Sequence, residues 1–215
     1  MRAIYIVVEG QTEEEFVNNL IRKYFLTKNI YDVRAIGMKG NVRYSRYKIN
    51  IINLLKSQSD ILVTSLIDFF HLHTDFPKYY ESLKILSPVE RVEFLEKSCS
   101  EDINELRYIP YIQLHEFEGL LFTKMDGFEL IPAINNDPIK ISELQEILIN
   151  YPNPELINEG SITAPSKRLS NIIPGYRKPL YGPIIALENT LESVLEKCPR
   201  FKNWIDTLID RMYVS

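Results

Sequence analysis

Glu9, Asp68 and the pair Glu116 and Glu118 each follow a short apolar run, Ala3–Val8, Ile61–Ile67 and Tyr108–Leu114. Runs of this kind fit strands buried on both faces, as in a parallel sheet. In open α/β sheets, sites form at the carboxyl ends of the strands. If these strands are parallel neighbours, their acids converge. Converging carboxylates resist joint ionisation unless a cation lies between them. Ligand sets built only from oxygen select hard ions, so Mg2+ or Mn2+ is the expected guest. Such ions promote phosphoryl transfer by polarising phosphate and activating water.

Further residues surround this group. Glu13 lies four positions after Glu9, in the first turn of an expected helix. It is either another ligand or an acid favoured there by the helix macrodipole. Glu116 and Glu118 in HEFEGLLF share a face if extended and diverge if helical. Lys167 and Arg168 in TAPSKRL are candidate phosphate contacts. Lys167 would stabilise charge developing on phosphate oxygens. Ser166 would cap a helix or touch phosphate, and a solvated helix start explains all three equally well. Lys178, beside Arg177, is a weaker candidate of the same kind. His71, His73 and His115 read as loop or packing residues. Tyr44, Tyr47, Tyr79 and Tyr80 either stack on bases or belong to the core.

The elements that must position these residues follow from pattern. Gly10 breaks the first run, Thr12 and Glu15 form a T-x-x-E capping signature, and Phe16, Val17, Leu20, Ile21, Tyr24 and Phe25 recur at helical spacing. A second strand is expected near 31–36 and a basic helix over 41–56. A loop follows at 69–78, and a helix starts at Pro88. The rest reads as mostly helical, around 116–131, 140–150, 180–195 and 200–213. Strands alternating with helices indicate a mainly parallel, Rossmann-like sheet flanked by helices. A core at about 1–122 would carry a helical C-terminal elaboration at about 123–215, within one domain.

The 215 residues are 45% hydrophobic and 25% charged, with a formal net charge of −4. Such a chain buries a real core and is no polycation, although a local basic patch can still meet phosphate. Cys99 and Cys198 are far apart and lie outside any CxxC, so at most one disulfide is expected. The opening MRAIYIVVEG lacks the features of a signal peptide, and no apolar stretch approaches the ~20 residues of a membrane span. A cytoplasmic location is expected. No Walker loop, GxGxxG or nucleophile elbow is present.

The opening IVVEGQTEEEF resembles the first motif of Toprim domains, the metal-dependent fold of topoisomerases, primases and overcoming-lysogenization-defect nucleases. Glu9 and Glu13 stand at the acids of its V-E-G-x-x-E, and Asp68 at the first aspartate of its D-x-D. The chain as a whole resembles a Toprim-like family, the domain of unknown function 4276. VEGQTEEEF, SLIDFFHLHTDFP, YIQLHEFEGLLF, TAPSKRL and CPRFKNWIDTL carry that resemblance. It implies a metal-dependent nuclease acting on DNA or RNA beside an ABC/AAA-type ATPase in anti-phage defence, and it is compatible with oligomer formation. One departure stands out: Phe70 replaces the second aspartate of D-x-D. Asp75, Glu116 or Glu118 would have to take its place. Otherwise the chain is a non-catalytic subunit that binds nucleic acid or an ATPase.

Overall fold

The computed structural model describes residues 2–40, 42–70, 72–158, 160 and 162–213. Strand β1 (Ala3–Val8) leads into helix α1 (Gln11–Phe16), which continues through a π-helical turn at Val17–Ile21 into α2 (Arg22–Thr27). Then follow β2 (Val33–Gly37), α3 (Tyr44–Ser57), β3 (Ile61–Asp68), α4 (Tyr79–Ser82) and α5 (Pro88–Ile103). The third apolar run yields two short strands, β4 (Tyr108–Ile109) and β5 (Ile112–Gln113). Pro110 separates them, since it has no N–H to give the ladder.

The strands form one parallel sheet in the order β2-β1-β3-β4, with β5 also paired to β3. Side-chain alternation divides the core into two layers. Ala3, Tyr5, Val7, Ile61, Val63 and Ile67 face α3 and α5. Ile4, Ile6, Val8, Leu62 and Leu66 pack instead on α1, α2 and the C-terminal helices. Both faces of β1 and β3 are therefore dry, which is why β1 reads as an unbroken apolar run and β3 admits only Thr64 and Ser65, whose hydroxyls donate to the Ile109 and Tyr111 carbonyls.

The segment expected to be helical over 116–131 is instead a 3-10 turn (Phe117–Leu121) and a single helical turn, α6 (Asp126–Glu129). After it come α7 (Pro132–Asn135), α8 (Pro138–Asn150), a 3-10 turn (Pro154–Leu156) and α9 (Pro165–Ile172). The chain closes with α10 (Lys178–Lys197), interrupted at Thr190, and α11 (Pro199–Tyr213). Trp204 of α11 stacks on Tyr111 and donates to Thr64 Oγ1 on β3 at 2.8 Å, so the final helix is locked onto the sheet. The signature CPRFKNWIDTL is thus a packing element.

Cys99 and Cys198 are both free buried thiols. They belong to opposite layers of the core, with the sheet between them, so the disulfide left open by the sequence does not form. Tyr44 and Tyr47 are buried beneath α3. Tyr47 hydrogen-bonds Ser65 and Tyr108, and Tyr44 donates to Asp102, which removes both from any role in stacking on bases. No helix among the described residues is long and apolar enough to cross a membrane.

Candidate functional site

In the β1–β3 ladder Val8 lies opposite Leu66, so Glu9 emerges just past one strand end and Asp68 closes the other. Glu13 follows in the first turn of α1. Its Oε2 accepts the Gly10 N–H at 3.1 Å, which holds the carboxylate at the start of the helix. Asp68 Oδ1 accepts the Phe117 N–H at 2.8 Å, which brings the 3-10 turn carrying Glu118 up to β3. The free oxygens of these three side chains meet on one cation. Lys178 Nζ lies 2.7 Å from Glu13 Oε1, 3.0 Å from Glu118 Oε2 and 3.3 Å from Asp68 Oδ2. The Phe117 ring lies 5.4 Å from the same ammonium.

This arrangement is negative overall. Three carboxylates against one ammonium leave two formal charges unmatched, and Glu13 and Glu118 are almost fully buried. Burial drives the Asp68 carboxyl well above its usual range, Lys178 opposes that, and Glu13, Glu118 and Glu9 reinforce it. Glu118 is raised by burial too, again against the pull of Lys178. For Lys178 burial favours the neutral amine, yet the combined field of Asp68, Glu118 and Glu13 prevails and holds it firmly protonated. Beside them the buried hydroxyl of Tyr176 has no hydrogen-bond partner among the described residues, and burial together with Glu118 pushes its pKa up.

The donor set suits Mg2+ or Mn2+: it is all oxygen, enclosed and rich in negative charge. The orphaned Tyr176 hydroxyl adds a polar group able to meet an ion-bound water or a phosphate oxygen. Lys178 Nζ holds the central position, and among the described residues no three His, Cys, Asp or Glu side chains are arranged to grip an ion directly. Entry of an ion therefore requires Lys178 to yield its place.

The remaining sequence candidates fall in several places. Glu9 is half-buried at the sheet edge and close enough to raise Asp68, and its backbone carbonyl accepts from Gly40. Glu116 turns away from the cluster. Its two oxygens accept from Ser166 N–H at 2.9 Å and Ser166 Oγ at 3.0 Å, so both residues serve to anchor the start of α9. Asp75 accepts the Tyr44 N–H at 2.9 Å and lies 2.7 Å from His73 Nδ1, so it holds the start of α3 and does not replace the missing D-x-D aspartate. Lys167 is exposed on α9. Arg168 is tied to the Thr163 carbonyl and to Tyr151. His115 is a buried packing residue whose pKa is lowered by burial to about 4, and His71 lies outside the described residues.

Lys178, ranked low in the sequence, thus stands at the centre. It opens α10, followed by Pro179 at a position where proline costs the helix nothing. One turn later Gly182 meets Thr12. A Cβ at Gly182 would come within 2.8 Å of the Thr12 methyl, so glycine permits α10 to lie close against α1. Lys178 and Gly182 are four residues apart and share a helix face, as Thr12 and Glu13 are adjacent. That contact seats the ammonium over Glu13.

Comparison with known proteins supports the fold. The chain is similar to the C-terminal region of the Burkholderia pseudomallei OLD protein, with a TM-score of 0.52 and 15% identity, covering 96% of this chain and 98% of that one. It is also similar to the C-terminal region of the Xanthomonas campestris pv. campestris OLD protein, with a TM-score of 0.50 and 13% identity, covering 99% and 96%. At such identities the likeness speaks for a Toprim-like architecture alone. The chain matches no curated protein. The family model for the domain of unknown function DUF4276 matches residues 8–209, and the chain belongs to that family.

Proposed function

We propose that this protein is a metal-dependent phosphodiesterase acting on DNA or RNA. The observation that carries this reading is the convergence of Glu13, Asp68 and Glu118 from three separate segments on one point, with two negative charges in excess. Such a concentration of buried charge costs stability, so it is retained for a task. Glu13, Asp68 and Glu118 would hold Mg2+ or Mn2+, with Glu9 beside them, and the ion would polarise a phosphodiester and activate water. Lys178 would move from the carboxylates to a phosphate oxygen and neutralise charge developing there. The Tyr176 hydroxyl would donate to the same phosphate. Phe117 and the aliphatic core beneath the site keep bulk water out. Lys167, exposed on α9, would guide the strand backbone.

Purified protein with Mn2+ and labelled single- and double-stranded DNA and RNA tests this directly. Cleavage is expected, with loss in Asp68→Asn and Glu13→Gln. Variants that cut normally would refute the assignment.

A second reading is supported by Phe70 in place of an aspartate and by an ammonium at the cluster's centre. In it the chain is a non-catalytic subunit that binds nucleic acid or an ATPase. The resemblance to overcoming-lysogenization-defect nucleases also suggests an ATPase-coupled role in anti-phage defence, inside the cell. Cleavage appearing only when an ABC-type ATPase is added would favour a gated nuclease. Silence in both conditions favours the binding subunit.

A further inference from the structure

At the end of β3, beyond Asp68, lies a cavity of about 370 Å3 that the proposed reaction leaves unexplained. Its walls include Phe69, Phe70, Tyr79, Arg91, His115 and the exposed Leu86. It adjoins the site through the chain itself: Phe69 and Phe70 follow Asp68, and His115 precedes Glu116. The floor is fixed by backbone pairing, since Phe69 N–H donates to Gln113 O at 2.9 Å and Phe70 N–H to His115 O at 2.7 Å. Arg91 lies over two rings, 4.9 Å from Phe69 and 5.4 Å from Tyr79. Its Nε donates to Ser82 Oγ at 3.1 Å, and it forms no salt bridge among the described residues. A guanidinium set beside aromatic rings, with no carboxylate on it among the described residues, offers N–H donors and positive charge to a nucleic acid, and the rings offer apolar walls to a base. On the opposite wall Asn158 Oδ1 accepts the Gly160 N–H at 2.7 Å, which orients its amide nitrogen toward His115 Nδ1 at 3.1 Å. Nδ1 is therefore the acceptor, and the proton of the neutral ring belongs on Nε2, where it is a donor.

We propose that this cavity is a nucleobase subsite: it receives the base of the nucleotide adjoining the phosphate held at the carboxylates, packed against the aromatic walls and bonded by the Arg91 guanidinium. This rests on the phosphodiesterase reading for the position of the phosphate. A base paired within a duplex cannot enter such a pocket, so the substrate class is a single strand, or a duplex end that has opened. The flat guanidinium and aromatic walls accept any base, which predicts weak sequence preference.

The test uses a fluorescein-labelled 12-nucleotide single strand, titrated in Ca2+ into wild type, Arg91→Gln and Leu86→Asp. Leu86 is almost fully exposed, so its replacement leaves folding intact and places a negative charge at the mouth. Both variants are expected to weaken binding roughly tenfold. Removing one base at a time from the strand should reveal one position where an abasic site weakens wild-type binding by a similar factor, with no further loss in Arg91→Gln. Tight binding indifferent to both variants and to every abasic position overturns the subsite, and leaves the phosphodiesterase standing if Mn2+ supports cleavage. The expected coupling without cleavage in Mn2+ supports the subsite and overturns the reaction. Absence of any binding overturns both.

Discussion

Replacing Lys178 with methionine keeps an unbranched side chain, one heavy atom shorter, and removes its charge. In the native protein that ammonium contacts carboxylate oxygens at 2.7, 3.0 and 3.3 Å. Removing one partner of a buried ion pair costs about 3–5 kcal/mol, because the charge left behind stays out of water. Here the Lys178 side chain retains 28% exposure while its three partners keep 4–12%, so the lower end, about 3 kcal/mol, is appropriate. For a chain of this size that corresponds to a fall in Tm of roughly 6–12 °C. The loss should be largest at pH 8 in a chelator, when the carboxylates are ionised. It should shrink as pH falls, and begin to shrink above the usual carboxylate range, since Asp68 and Glu118 are already raised. Mg2+ should restore the variant, because an ion at 100 times its Kd contributes about 2.7 kcal/mol. It should stabilise wild type less, since there it must first displace the ammonium. Thermal unfolding at pH 5 and 8, with chelator and with Mg2+, measures all of this. A variant that melts with wild type at pH 8 in chelator would refute the electrostatic picture of the site.

Three other outcomes follow from the geometry. Gly182→Ala drives a methyl into Thr12 and should push α10 off α1, costing about 1–3 kcal/mol by overpacking and reducing cleavage by displacing Lys178; an unchanged Tm and rate would contradict that packing. Tyr176→Phe removes a hydroxyl that has no partner among the described residues, so Tm should hold or rise while cleavage slows about tenfold or more; equal rates would deny the hydroxyl a role in the site. His115 has its pKa lowered to about 4 by burial, so the native protein resists a proton that the unfolded chain accepts near 6.5. Stability from its neutral form is complete above pH 6.5 and is lost as pH falls through 4, by up to about 3 kcal/mol. His115→Gln should flatten that part of the pH–stability curve, as followed by urea denaturation.

The strands were legible because β1 and β3 are buried on both faces, so β1 is wholly apolar and β3 admits only Thr64 and Ser65 before its closing Asp68. Their ends were legible because an acid directly after an apolar run marks the edge of the sheet, which is where Glu9 and Asp68 lie. The third run was less readable: Pro110 splits it, and the turn beyond uses 3-10 geometry, whose spacing mimics a helix over a few residues. Glu116 and Glu118 could not be told apart by sequence. An extended backbone at Glu116 before the tight turn sends one side chain to Ser166 and the other to Lys178. Lys178 carried only the weak signal of a basic pair with Arg177, and nothing local tied it to the acids: it lies 110 residues from Asp68 and depends on a helix packing made possible by a single glycine. Asp75 misled for a related reason: in sequence it lies near Asp68, yet its carboxylate is used to cap α3.

The most direct test of the central claim is a crystal structure of the protein soaked with Mn2+, read by anomalous scattering. A single strong peak is expected among the oxygens of Glu13, Asp68 and Glu118, with Lys178 moved off all three. Lys178 still bridging those carboxylates at saturating Mn2+, with no peak beside them, would contradict it.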